Sequence, residues 1–355
     1  YSMKFSQTIS PGKHQNINWI NNLRLIAMFA VVVLHTASPL LFRVKDASIN
    51  DWLAADVYNA LVRFCVPVFV MITGALLLQR EYELGDFLKR RFGRLIPPFI
   101  FWSLIYIGYK LYNEEIELSD NIWPNIKLVL QQLQTGSYYH LWYVYLLMGL
   151  YLFMPVISKF VRNATEKELL YFLGIWFLTM IWGKPYLTIF DPGIDLHNFT
   201  GYIGYLVLGY YLAYKPFKFK NIASIATLVF ILCTLLITSG TYLLLLKNRN
   251  LSTFFYEPIS PFILILSASA FLMARFIKVK LNPIVNNIVS NIGKYTLGLY
   301  LSHALILNVL ELNDITYNIF NPIFSIPLVA FLTFLFSSLL IYVMSKLPLL
   351  KYLAG

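Results

Sequence analysis

Ten runs of mostly apolar residues, nearly free of charge, follow one another along the chain and are joined by short polar connections. A helix needs about 20 such residues to cross a ~30 Å hydrocarbon core, and in lipid it satisfies its own backbone hydrogen bonds. The runs cover residues 19–42, 57–79, 95–112, 140–160, 169–183, 198–214, 222–246, 258–277, 292–310 and 323–345, the fifth being short. With 58% hydrophobic and 13% charged residues in 355, the chain cannot be divided into soluble domains. Its two cysteines, Cys65 and Cys233, fall in different spans and read as small apolar residues. The expected fold class is all-α: a polytopic integral membrane protein with about ten transmembrane helices, forming one membrane-embedded domain over residues 1–355.

Charge distribution orients these spans independently of hydropathy, because cytoplasmic loops collect Lys and Arg. With the N-terminus inside, nineteen basic residues lie on the inner side, among them Arg80, Lys89, Arg90, Arg91 and Arg94, and seven lie outside. Twelve of the 17 acidic residues, including Glu114, Glu115, Glu117 and Asp120, fall outside. Both termini are therefore expected in the cytoplasm. The net charge of +11 follows from topology, so no nucleic-acid partner is needed to explain it. The first span is too long, and too early interrupted by an arginine, to be a cleaved leader. No zinc-ligand spacing, glycine-rich nucleotide loop, Gly-x-Ser-x-Gly turn or internal repeat occurs. The longest polar stretch, Asn113 to Tyr139, has room for a short helix over Ile126 to Leu133 lying on the outer surface. Any chemistry must come from the spans and their short loops.

Ionisable residues inside spans cost about 3 kcal/mol or more if they face lipid, so they point to polar cavities. Arg24 and His35 lie on the first span, Arg63 on the second, His303 on the ninth, and His140 at the outer mouth of the fourth. Arg24 and His35 are eleven residues apart, which returns a helix to within ~20° of its starting direction and advances it ~16 Å. They share a face, with the arginine near the cytoplasm and the histidine at mid-membrane or beyond. Taken separately, Arg24 could snorkel to the interface, and His35, His140 and His303 could be packed core histidines. Arg63 precedes Pro67, whose missing N–H disturbs the helix, which suggests an outward-facing vestibule or an ion pair with Asp51 or Asp56. In the inner hairpin, Arg90, Arg91 and Arg94 are i, i+3 and i, i+4 neighbours on a helix and can converge on one anion, or can simply set topology. Pro97-Pro98 is expected to end this segment and start the next span.

These segments together resemble the acyltransferase-3 family of bacterial integral membrane acyltransferases. The first span from Asn18 carries that family's Arg, ten residues, His signature as Arg24 and His35. Arg63 to Phe69 with Met71-Ile72-Thr73-Gly74 is similar to its second helix, and Arg90 to Pro97 to its basic hairpin. His140-Leu141-Trp142-Tyr143 with Tyr151 and Pro155, then Leu297 to His303, follow in the expected order. The likeness covers nearly the whole chain and is to stand-alone members. Asn21 stands where the family commonly has Asp, and Leu25 where it often has a small residue, so a charge that could pair with a nearby arginine is missing here.

The resemblance implies a multi-pass protein of the bacterial cytoplasmic (inner) membrane. It would move an acyl group, usually acetyl, from cytoplasmic acyl-CoA to a hydroxyl of a cell-surface glycan or its lipid-linked precursor. Acetyl-CoA is then the donor substrate, with no metal required, and membrane lipids surround the chain. On this reading Arg24, Arg90, Arg91 and Arg94 hold the donor's phosphates, and its pantetheine arm extends along the first span to His35. There a neutral His35 serves as general base, or as nucleophile in an acyl-histidine relay. Arg63, His140 and His303 contact the acceptor or the developing oxyanion from outside. The competing reading is a transporter or flippase that uses the same residues as a relay.

Overall fold

The computed structural model describes residues 18–181, 201–217, 219–279 and 282–355. The expected span ends at 182–183 and 198–200, and the basic residues Lys4, Lys13, Lys184, Lys218 and Lys280, lie outside the described residues. Within them the chain is helical, with no strand: α1 (Asn18–Phe42), α2 (Ile49–Val62), α3 (Cys65–Leu77), α4 (Leu84–Tyr112), α5 (Ile122–Thr135), α6 (Trp142–Asn163), α7 (Glu166–Ile181), α8 (Ile203–Tyr214), α9 (Ile222–Asn248), α10 (Pro261–Phe276), α11 (Pro283–Gly293), α12 (Thr296–Glu311) and α13 (Pro322–Lys346). Among the described residues, seven helical segments are long and apolar enough to cross a bilayer, α2 and α3 counting as one, while α8 and α12 are shorter and apolar. The protein is an all-α polytopic membrane protein.

Local sequence chemistry sets many of the helix starts. Ser48 caps α2 through the Asp51 N–H, Glu83 caps α4 through Gly85 and Asp86, and Ser260 caps α10 through Ile263. Asn282-Pro283 and Asn321-Pro322 open α11 and α13 with a side-chain cap followed by a residue that lacks the N–H a helix start leaves unbonded. The polar connection between α4 and α6 does form a helix, α5, longer than expected, with Ile122, Trp123, Ile126 and Leu130 exposed. Such an apolar stripe suits the membrane interface.

One expectation about proline needs correction, and another is met by the structure. Pro97 and Pro98 do not end the basic segment, because α4 runs unbroken through both. Proline's fixed φ fits a helix; what it removes is the hydrogen bonds to the Gly93 and Arg94 carbonyls, and Gly93 and Arg94 are both exposed. Arg90, Arg91 and Arg94 therefore share one continuous helix. At Pro67 the effect is larger than a lost bond. The span begins at Ile49 and is interrupted after Val62, and α3 restarts at Cys65. The Arg63 carbonyl, lacking its usual donor four residues on, sits at this break.

α1 lies centrally, against α2, α3, α10, α11, α12 and α13. α3 and α8 approach most closely, and glycine is the reason. A Cβ at Gly74 would overlap the Leu206 backbone, and one at Gly209 would overlap that of Met71. Small residues at helix crossings let backbones touch where lipid offers no hydrophobic drive to association. Leu152, Phe153 and Val156 on α6, Leu228, Ile231 and Leu235 on α9, and Phe331, Leu335 and Leu339 on α13 remain exposed. In water these would be large sticky patches; they are the lipid-facing surface.

Candidate active site

His35 sits on α1 four residues before Pro39, so its carbonyl also loses its helical donor. Its ring stacks on His303 of α12, centroids 5.3 Å apart and 28° between planes, and meets Tyr139 edge-on at 4.9 Å. His140 packs edge-on against His303 at 4.9 Å. The three histidines, which the sequence places on three different spans, thus form one cluster. His140 and His303 are fully buried, while His35 keeps partial exposure. The imidazoles stack and tilt; among the described residues, no group of His, Cys, Asp or Glu could hold a metal ion.

Tyrosines frame this cluster. His303 Nδ1 lies 2.6 Å from the Tyr300 carbonyl, which can only accept, so Nδ1 carries the proton and Nε2 presents a lone pair. That Nε2, and both ring nitrogens of His140, are buried without a protein partner. Tyr300 donates to the His140 carbonyl, tying α12 to the turn that precedes α6. Tyr106 of α4 accepts from the Leu305 N–H at 3.1 Å and donates to the Leu301 carbonyl at 2.8 Å. Those two groups are helical partners of each other, so the hydroxyl joins the α12 backbone at the His303 turn as a third member of that pair. Tyr138 stacks on Tyr106 at 4.6 Å and accepts from Asn308 at 2.5 Å, which holds the turn carrying Tyr139 and His140.

Arg63 approaches from the α2–α3 break. Its Nη2 donates to Asn59 Oδ1 at 3.2 Å, and that oxygen also accepts from Ser38, one turn beyond His35, at 3.2 Å. The guanidinium lies 4.3 Å over the ring of Tyr256 and acts on His35 through space. Tyr256 in turn donates to Asp56 Oδ1, while Asp56 Oδ2 and Arg63 Nε are buried without partners. Arg63 therefore forms no ion pair with Asp51 or Asp56. Asp51 is partly buried and bonded to Ser48, and the buried Asp56 reaches Arg63 only through Tyr256.

At the other end of the shared α1 face, Arg24 is half-buried within coulombic reach of Tyr143 and Tyr151 of α6. Tyr151 also lies 5.9 Å beneath the Arg91 guanidinium, and Tyr143 meets Tyr300 at 5.3 Å. α6 thus meets the basic hairpin through Tyr151 and Tyr300 of the histidine cluster through Tyr143, with Arg24 within electrostatic range of both tyrosines. The direct line along α1 is different. Ala27, Met28 and Val31, which fill the face between Arg24 and His35, are at most 2% exposed. A pantetheine arm passing along α1 must displace Met28, a flexible side chain.

Beside the hairpin lies a cavity of about 390 Å3 lined by Arg80, Tyr82, Phe87, Arg90, Arg91 and Arg94, together with Glu81, Glu83 and Asp86. The arginines are not equivalent. Arg90 is bonded to Asp86 at 2.9 Å, both exposed, and Arg91 stands over Phe87 and Tyr151. Of the three acids, Glu83 is engaged as the α4 cap and Glu81 lies 3.6 Å from Arg162. Sequence reading missed Arg80, Asp56, Asn59, Tyr106, Tyr151, Tyr256 and Tyr300 as site residues. Tyr300 and Tyr151 stood within the quoted motifs, whereas Tyr256, in a short loop, carried no signal.

No curated protein and no solved structure matches the chain significantly. The acyltransferase-3 family model, described as an acyltransferase domain, matches residues 17–342, a stretch that contains every residue of the site. A basic cavity on one side, a histidine cluster inside the bundle and an almost full-length match agree: the chain belongs to the acyltransferase-3 family and is a membrane acyltransferase.

Proposed function

We propose that the protein is an O-acyltransferase that moves an acetyl group from cytoplasmic acetyl-CoA to a hydroxyl of a cell-surface glycan or its lipid-linked precursor, in a bacterial inner membrane with both termini cytoplasmic. The observation that carries this reading is the gathering of His35, His140 and His303 at one end of the α1 face whose other end is Arg24. Arg91 and Arg94, with Arg80 and Arg24, hold the donor's phosphates, since guanidinium forks suit phosphate oxygens. Arg90, satisfied by Asp86, contributes less.

The acceptor hydroxyl oxygen attacks the thioester carbonyl carbon while its proton passes to the neutral imidazole of His35. The tetrahedral oxyanion is stabilised by Arg63, whose positive charge reaches the histidine. The C–S bond then breaks, the ester is formed, and the thiolate of CoA recovers the proton from His35. His303, its Nε2 free, and His140 line the acceptor side. The transporter reading of the same residues loses its ground to the family match.

The test is turnover of acetyl-CoA by purified full-length protein in nanodiscs with envelope glycan extract, read as CoA thiol release. His35→Ala should lower the rate by ~10²–10⁴, the range of general-base contributions, with unchanged melting. Full turnover by that variant refutes the role of His35. Label retained on His35 after donor alone would replace the direct transfer with an acyl-histidine relay.

A further inference from the structure

A second cavity, of about 260 Å3, opens where the end of α11, the start of α12 and the last turns of α13 meet. Its rim carries the exposed Lys294 and Lys346 with Tyr295 and Tyr342, and its floor is Leu299 and Ile341, each 1% exposed. No carboxylate lines it, in contrast to the arginine cavity with its three acids. Lys294 is aimed by a 2.9 Å bond to Asn291 Oδ1, and the Lys346 ammonium lies 5.0 Å over the Tyr342 ring. Among the described residues neither lysine forms an ion pair. Two cations thus stand over an apolar floor with donors to spare.

The surroundings identify what such a rim would meet. Pockets for whole small molecules usually span ~300–1,000 Å3, so this one fits a headgroup better than a nucleotide. From Ser338 and Tyr342 the same face of α13 continues to Leu335 and Phe331, both exposed and apolar. α11, beside it, exposes Ile284, Val285 and Ile288, which suits a helix lying in the membrane interface. Basic pockets between helices at the cytoplasmic interface are where anionic headgroups bind. We propose that this groove binds one anionic phospholipid, with its phosphate between Lys294 and Lys346, its glycerol over Leu299 and Ile341, and an acyl chain along Leu335 and Phe331. The inference is independent of the acyl-transfer reading, since no residue of the groove belongs to the active site.

The experiment reconstitutes the full-length protein in nanodiscs of phosphatidylcholine with a minor share of phosphatidylglycerol and counts co-released lipid by native mass spectrometry. One phosphatidylglycerol per chain should persist. At about 1 kcal/mol per interfacial lysine, Lys294→Gln or Lys346→Gln should each weaken retention about fivefold, and the double variant ~25-fold, with melting of the lipid-free protein unchanged. Equal retention of phosphatidylcholine, or undiminished phosphatidylglycerol in the double variant, overturns the proposal. A thermal shift of delipidated protein by inorganic phosphate, with none by phosphatidylglycerol, also overturns it.

Discussion

Replacing Tyr256 separates two jobs that one side chain performs for Arg63. Its hydroxyl donates to Asp56, a residue with no solvent exposure and a second carboxylate oxygen already unpartnered. Its ring carries the Arg63 guanidinium at 4.3 Å. Tyr256→Phe removes only the hydroxyl. It leaves a buried carboxyl group wholly unbonded, at a cost of about 1–3 kcal/mol in stability, while the ring still supports Arg63. Tyr256→Ala removes the ring as well, and a desolvated cation–π contact is worth about 2 kcal/mol, or ~30-fold in an equilibrium. Melting of the purified protein should therefore fall in both variants. Acyl transfer in acceptor-containing membranes should drop less than about threefold in kcat/KM for Tyr256→Phe and by a further ~10–30-fold for Tyr256→Ala. The double variant Asp56→Leu with Tyr256→Phe should recover melting temperature, because replacing both partners removes the unsatisfied group. Equal kcat/KM for the Phe and Ala variants would refute the claim that the ring positions Arg63.

Neutralising the hairpin arginines singly should distinguish them: Arg91→Gln and Arg94→Gln should raise the KM for acetyl-CoA about tenfold or more, as lost charge-assisted bonds do, while Arg90→Gln, whose guanidinium is already bonded to Asp86, should change it little; steady-state kinetics decides. Gly209→Leu should prevent the α3–α8 contact, because its Cβ would already overlap the Met71 backbone, and should show as lost monodisperse protein on size exclusion, with wild-type yield as the contrary result. Lys215 beside Glu166 at 2.9 Å, with the Tyr211 hydroxyl adding to it, holds the Glu166 carboxyl below its ordinary 4.5, and the same bond raises Lys215. A depressed carboxylate stabilises the fold above its unfolded value and loses that contribution as pH falls through its folded value, while the raised lysine loses its share only as pH climbs past its ordinary 10.5. With side chains 46% and 30% exposed, the pair is worth at most about 1 kcal/mol, so Glu166→Gln should lower melting slightly at pH 7 and not at pH 3; an equal decrease at both pH values would contradict the linkage.

Relations within one helix could be read from residue numbers. The pitch of an α-helix put Arg24 and His35 on one face ~16 Å apart, and the same arithmetic grouped Arg90, Arg91 and Arg94 on one helix, as α4 has them. The helical, membrane-spanning character of the chain was legible from run length, since the bilayer imposes a thickness that sequence must match, and seven helical segments among the described residues are long and apolar enough to cross it. The short helix in the longest polar stretch was also foreseen, although it runs from Ile122 to Thr135 and ends at Gly136, whose positive φ stops it. Proline was misjudged at Pro97-Pro98, where α4 runs on, and read correctly at Pro67, where the span breaks beside Arg63. At Pro97-Pro98 the freed carbonyls belong to the exposed Gly93 and Arg94, so losing their helical donors costs little.

Relations between helices were not legible. That His303 stacks on His35, that Tyr106 bonds the α12 backbone, and that Tyr256 carries Arg63 are contacts across 268, 195 and 193 positions of chain. In a soluble protein the alternation of apolar and polar faces would at least say which side of each helix turns inward. A lipid-facing side chain is as apolar as a core one, so a span such as α9 or α13 is hydrophobic nearly all round and its rotation leaves no mark on composition. What turns the helices is close packing at small residues and the pairing of buried polar groups: Gly74 and Gly209 against facing backbone, Tyr300 and Tyr106 onto carbonyls. Those fits exist only once several helices are assembled, which is why the chain's residues named the chemistry and the bundle brought it to one place.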